Sequence, residues 1–115
     1  MKKKKICFIT GSRAEYGMQY FLLKDIKSYK NIKLDIIITG THLSKQFGYT
    51  YKEILNDNFK NNSKIKILNS RKSEVAESAA KAISKISKKI KKIRPDLVVI
   101  VGDRYEMFSA AFASL

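Results

Sequence analysis

The chain has 115 residues, 44% of them hydrophobic, with one cysteine and no tryptophan. That length allows one small domain with a real core. A single cysteine excludes an internal disulfide framework and fits a reducing compartment. Basic residues outnumber acidic ones by 24 to 10, a net charge of +14. A surplus of this size suits a nucleic-acid or anionic-membrane partner, but its composition does not. Twenty of the 24 are lysine and only four arginine, spread over nearly every solvent-facing stretch. Arginine-aromatic interleaving of the kind base-stacking surfaces need is missing. We therefore expect no nucleic-acid partner. After Met1-Lys2-Lys3-Lys4-Lys5 the apolar run covers only residues 6–9, too short for a signal peptide or a membrane span. The expectation is a cytoplasmic protein with no membrane partner.

In chain order, residues 5–10 predict a first buried strand, with Cys7 as a core thiol. Gly11-Ser12-Arg13 is a tight turn, and residues 14 to about 28 carry apolar side chains at helical spacing. Residues 34–39 predict a second strand, followed by a loop at 40–44. Residues 49–56 predict a short helix, with Thr50 and Glu53 at capping-box spacing. Residues 65–68 predict a third strand. The strongest helix is 73–93, where Val75, Ala79, Ile83, Ile86, Ile90 and Ile93 form one stripe. Pro95 ends it and restricts Arg94. The run Leu97-Val98-Val99-Ile100-Val101 predicts a fourth strand buried on both faces, and a helix starts near Arg104 or Tyr105. Strands alternating with helices over short connections predict an α/β fold with a Rossmann-like parallel sheet. The last residues, 107–115, are apolar and helical, and the expectation is a fragment whose apolar face needs covering.

Three loops fall at carboxyl ends of predicted strands, where open α/β sheets bind ligands. The first is Gly11-Ser12-Arg13-Ala14-Glu15-Tyr16-Gly17. A glycine turn opening a helix suits a phosphate, and Arg13 can grip one bidentately. The loop is neither G-x-G-x-x-G nor Walker A, which disfavours NAD and P-loop ATP. The alternative is a plain turn with an exposed arginine. In the second loop stands His42, the only histidine, able to donate to a sugar hydroxyl or to shuttle a proton near neutral pH. The alternative is a structural histidine. One His and one Cys at unrelated spacing build no zinc site. The third is Gly102-Asp103-Arg104. Asp103 can serve as acid or base there, or simply cap the following helix with Glu106 as capping-box partner.

Together these segments resemble the hydrolysing UDP-N-acetylglucosamine 2-epimerases of bacterial sialic-acid synthesis and their animal counterparts. The likeness lies in Gly-Ser-Arg-Ala-Glu-Tyr-Gly (11–17), in Thr-Gly-Thr-His-Leu-Ser (39–44) with Phe-Gly-Tyr-Thr-Tyr-Lys-Glu-Ile (47–54), and in Pro-Asp-Leu-Val-Val-Ile-Val-Gly-Asp-Arg-Tyr-Glu (95–106). The non-hydrolysing relatives read Gly-Thr-Arg-Pro-Glu at the first motif and usually lack the arginine after Gly-Asp. Ser12, Ala14 and Arg104 thus favour the hydrolysing branch. The resemblance implies a two-domain, glycosyltransferase-B-like fold. Residues 1–115 would be its incomplete, Rossmann-like amino-terminal domain, with a carboxyl-terminal nucleotide-binding domain lying outside this chain. It implies elimination of UDP, then hydration of the glycal to N-acetylmannosamine, without a cofactor. Asp103 matches a family catalytic carboxylate and His42 a sugar-side histidine. Arg13, Arg104 and the loop ending in Gly17 would hold the UDP-sugar's pyrophosphate. The full-length protein is expected to be a homo-oligomer, and the 115 residues alone to be inactive. The rivals are the same chemistry on UDP-2,4-diacetamido-trideoxyhexose, leading to legionaminic acid, and a basic nucleic-acid-binding module.

Overall fold

A computed structural model describes residues 3–66, 75–102 and 105–115. Four parallel strands form one sheet in the order β3-β2-β1-β4. Strand β1 (Lys4–Thr10) lies between β2 (Ile32–Thr39) and β4 (Leu97–Ile100), and β2 carries β3 (Asn62–Ile65) on its outer side. Its position follows from its sequence, because Cys7, Phe8 and Ile9 are apolar in succession and all fully buried, which only a strand covered on both faces allows. Helices α1 (Arg13–Lys27) and α2 (Tyr51–Asn56) cover one face. Phe8, Tyr16, Leu23, Ile36, Ile38, Ile54 and Phe59 form its core. Helices α3 (Val75–Ile93) and α4 (Tyr105–Ala113) cover the other, around Cys7, Ile9, Ile37, Ala82, Ile86, Met107 and Ala110. This is the α/β, Rossmann-like parallel sheet that the alternation of elements predicts. The Cys7 thiol is buried, and desolvation, then the charge of Asp35, pushes its pKa up to about 12. It stays protonated and unreactive.

Four local expectations change. Strand β3 spans Asn62–Ile65 rather than 65–68, because its register is set by pairing from Ile36↔Asn62 to Thr39↔Ile65. Thr39 Oγ1 donates to the Ile65 carbonyl at 2.7 Å; residues 67 and 68 lie outside the described residues. Strand β4 is an edge strand, so Leu97 is 54% exposed and Val98, Val99 and Ile100 are half-buried. The apolar run suggested burial on both faces, and it is β1 that has it. In α3 the most buried line is Ser78, Ala82 and Ile86, while Val75 is exposed. Small residues there let α4 approach, and Ser109 Oγ donates to the Ala79 carbonyl at 3.3 Å. Finally, Thr50 does not cap α2 with its side chain. Arg94 before Pro95 takes a left-handed φ of 53°, which ends α3. Phe108 and Phe112 on α4, and Phe21 on α1, stand exposed. Among the described residues, no helix is long and apolar enough to cross a membrane.

Candidate functional site

The first two motif loops meet at the carboxyl ends of β1 and β2. Ser12 caps α1, its Oγ accepting the Glu15 N–H at 3.3 Å. Its carbonyl accepts the Tyr16 N–H at 3.0 Å. The N–H groups of Arg13 and Ala14 thus stand at the open, positive end of a 15-residue helix, an arrangement suited to an anion. Loop 39–44 is clamped to this turn. Thr41 gives both its N–H (2.8 Å) and its hydroxyl (3.1 Å) to the Gly11 carbonyl. Gly40 makes that approach possible: its φ is 62°, and a Cβ there would stand 2.5 Å from the Gly11 oxygen. A side chain would meet backbone that cannot give way.

Glu15 ties the third motif to the first. Sequence reasoning missed this residue, although Ser12-x-x-Glu15 has capping-box spacing, which is the signal that could have found it. The side chain is buried, and its Oε1 accepts the Gly11 N–H at 2.9 Å, one residue before the position a capping box would use. On its other side lies Gly102, with φ 128°, where a Cβ would run into the Glu15 carboxylate and come 3.2 Å from Met107. Glu106 is buried beside the same turn, its Cβ 3.5 Å from where a Gly11 Cβ would lie. The three motifs thus form a chain of contacts, Gly40 against Gly11, Gly11 against Glu15, and Glu15 against Gly102. Asp103 and Arg104 lie outside the described residues.

His42 is fully buried. Its Nε2 lies 2.9 Å from Thr10 Oγ1 and its Nδ1 2.9 Å from Thr50 Oγ1. The Ser12 carbonyl also faces the ring. Thr10 Oγ1 donates to the Ser12 carbonyl at 3.4 Å, so towards the ring it accepts; we therefore assign the proton to Nε2, with Thr50 donating to Nδ1. This explains why Thr50 caps nothing. Desolvation lowers the His42 pKa to about 4, opposed only in part by Ser12. The ring is therefore neutral at pH 7, and a proton shuttle near neutral pH does not fit it. What the ring does is fasten loop 40–50 to β1.

Arg13 is 72% exposed, with Nε 3.0 Å from Glu53 Oε1. Glu53 thus reaches across to α1 instead of closing a capping box on α2. An exposed pair of this kind contributes roughly 0–1 kcal/mol, so the guanidinium is easily won by a stronger anion. Gly17 lies on the exposed side of α1, and a Cβ there would meet nothing within 4 Å. Packing does not require that glycine. Tyr16, between Arg13 and Gly17, points inward and donates to Asp57 Oδ2 at 2.5 Å. Burial, then that hydrogen bond, raises its pKa far above the usual phenol range. Its ring meets His42 and Phe59 edge-on at 6.3 and 6.4 Å.

A glycine-lined βα turn with an open helix end, at a strand's carboxyl edge, lies where parallel α/β sheets take their ligands. The family model for UDP-N-acetylglucosamine 2-epimerase matches residues 24–115, and the chain belongs to that family. The GDP/UDP-N,N'-diacetylbacillosamine 2-epimerase (hydrolyzing) of Campylobacter jejuni is 44% identical over 117 residues, covering 100% of this chain and 30% of that protein. The UDP-N,N'-diacetylbacillosamine 2-epimerase (hydrolyzing) of Legionella pneumophila is 32% identical, covering 97% of the chain and again 30% of the relative. The chain thus spans about a third of the length of these relatives. In fold it is similar to a crystal structure of UDP-GlcNAc 2-epimerase from Neisseria meningitidis bound to UDP-GlcNAc. The TM-score is 0.79 at 20% identity, over 96% of this chain and 29% of that one.

Proposed function

We propose that the full-length protein is a hydrolysing 2-epimerase of a nucleotide-linked 2-acetamido sugar. The carrying observation is that the three motifs are linked through Gly40 on Gly11 and through Gly11 and Gly102 on Glu15, at the edge where a parallel sheet takes its ligand. In this reading UDP leaves C1 as the C2 proton is removed, giving a glycal. Water then adds, with inversion at C2, and the free sugar departs. The leaving pyrophosphate takes the C1–O electron pair and gains one negative charge on its terminal phosphate, and preorganised cations and helix donors at that point supply transition-state stabilisation. Arg13, Arg104 and the donors of residues 13–14 fill that role, with Gly17 leaving the helix surface open to close approach. Asp103 serves as the catalytic carboxylate. His42 holds the sugar-side loop by its two threonines, and a sugar hydroxyl would compete with Thr50 for Nδ1.

On substrate, the N,N'-diacetylbacillosamine nucleotide stands ahead of UDP-N-acetylglucosamine. What favours it is the 44% identity to the Campylobacter jejuni enzyme, named for that sugar. The UDP-N-acetylglucosamine reading rests on the family description, and a sialic-acid route on the 35% identity to an Escherichia coli polysialic acid biosynthesis protein. A reducing cytoplasmic setting suits the buried, protonated Cys7.

One NMR time course on the full-length protein with each nucleotide sugar separates these readings. Free UDP and a free 2-epimerised sugar are expected, faster from the diacetamido substrate. An epimerised sugar still carrying UDP would remove the hydrolysing assignment. Undiminished UDP release by Asp103→Asn would remove the role given to Asp103.

A further inference from the structure

Helix α2 is attached to the motif loops by few contacts, and three of them are polar. Residues 50, 53 and 57 share one side of it, at helical spacings of three and four. Each reaches a different motif residue. Thr50 Oγ1 lies 2.9 Å from His42 Nδ1, Glu53 Oε1 3.0 Å from Arg13 Nε, and Asp57 Oδ2 2.5 Å from the Tyr16 hydroxyl. Ile54 is the one buried side chain of α2. A helix of six residues has little stability of its own, so these ties decide where it sits.

The three ties differ in strength and in what competes for them. Both Glu53 oxygens meet Arg13 at Nε, at 3.0 and 3.3 Å, rather than as the two-pronged pair that a phosphate makes with a guanidinium. Thr50 and Nδ1 form a neutral hydrogen bond. The Tyr16–Asp57 bond is short, charge-assisted and partly buried, which makes it the strongest of the three. A ligand that takes Arg13 and Nδ1 therefore removes the two weaker ties and leaves the strongest.

The backbone before α2 suits such a release. Gly48 and Tyr49 are both left-handed, at φ 78° and 51°, a conformation a tyrosine adopts only at a cost. Residues 45–49 are all exposed, and a Cβ on Gly48 would meet nothing within 4 Å. The bend can open without disturbing the core.

We propose that α2 is a latch released by the ligand. The ligand's diphosphate takes Arg13 from Glu53, and a sugar hydroxyl takes Nδ1 from Thr50. The start of α2 then swings, Gly48 and Tyr49 absorbing the backbone change, while Asp57 keeps its end on Tyr16. This rests on the reading above that Arg13 and His42 meet the nucleotide sugar. Ligand affinity and attachment of α2 are then reciprocal, so whatever loosens α2 tightens binding.

The test uses UDP and the full-length protein, by calorimetry and by hydrogen exchange at the α2 amides. UDP should speed exchange at Lys52 and Glu53 by about fivefold, the worth of an exposed ion pair at the upper end of its range, and leave Asp57 and Asn58 unchanged. Glu53→Gln should show the faster exchange without UDP. Thr50→Val alters no charge, so its UDP affinity reads the coupling alone, and it should rise about fivefold, the low end of site-to-site coupling. Slower exchange at Lys52 and Glu53 with UDP would overturn the latch. So would unchanged UDP affinity in Thr50→Val, or weaker binding by Glu53→Gln, which a carboxylate that only orients Arg13 would give. UDP bound with α2 unmoved removes the latch alone, whereas no UDP binding removes the functional reading with it.

Discussion

The two faces of the sheet are held by different physics. The α1 face is aromatic and polar, its ends tied by His42 between Thr10 and Thr50, Tyr16 on Asp57, and Thr41 on Gly11. The face under α3 and α4 is small and apolar, with Ala82, Ile86, Met107 and Ala110 at its centre. Directional contacts fix atoms to within tenths of an ångström, while apolar packing fixes volumes. A ligand site needs the former, and the motif loops sit where the directional contacts accumulate. The other face supplies mainly packed volume, touching the motif loops through Glu106 and Met107 of α4.

That contrast can be broken from either side. The largest effect is expected from Gly40→Ala. A left-handed alanine and a clash with the Gly11 carbonyl together should cost about 2–5 kcal/mol and abolish ligand binding, as urea unfolding and calorimetry would show. Ile86→Ala on the opposite face should cost a comparable sum, about 3 kcal/mol, yet leave substrate KM within about twofold of normal if the faces are independent. A changed KM would mean the packed face also shapes the site.

Acid should act on the α1 face through His42. The His42 pKa is lowered to about 4 from 6.5, so the unfolded chain takes up a proton that the fold refuses. Stability is full above pH 6.5 and falls as the pH drops toward 4, by about 3 kcal/mol in all. His42→Asn should flatten that part of the pH-stability curve. Two substitutions on α1 should stabilise. Gln19 is buried, with Oε1 and Nε2 lacking partners among the described residues. Gln19→Met should gain about 1–2 kcal/mol, and a loss would show that the amide has a partner in the longer protein. Gly17→Ala should gain up to about 1 kcal/mol in thermal unfolding, while weakening UDP-sugar binding if the pyrophosphate approaches that turn.

Much of this architecture is legible in the sequence because it repeats. Parallel strands with apolar runs and helices at 3.6-residue spacing give the alternation, and Pro95 and Ser12 mark boundaries. What escapes is set by partners distant in the chain. β3 takes its register from Ile36 to Thr39, not from its own hydrophobicity. β4 reads as a central strand because its composition says nothing of what lies beside it. Arg13 and His42 stand out as unusual residues after strand ends, and Gly17 as the last residue of the first motif, but the fastening of His42 depends on two threonines 32 residues before it and eight after. Glu15 was hidden in a motif dominated by its glycines. Its importance shows only when Gly102, 87 positions later, leaves room for its carboxylate.

The Tyr16–Asp57 contact also gives the molecule an optical property. With no tryptophan among its 115 residues and six tyrosines, near-ultraviolet absorption and emission belong to phenol rings. A phenol donating to a carboxylate at 2.5 Å, edge-on to a titrating imidazole, is a chromophore wired into the motif loops. Protonation of His42 or movement of α2 would alter its environment, so ultraviolet difference spectroscopy can follow this corner of the protein without any label.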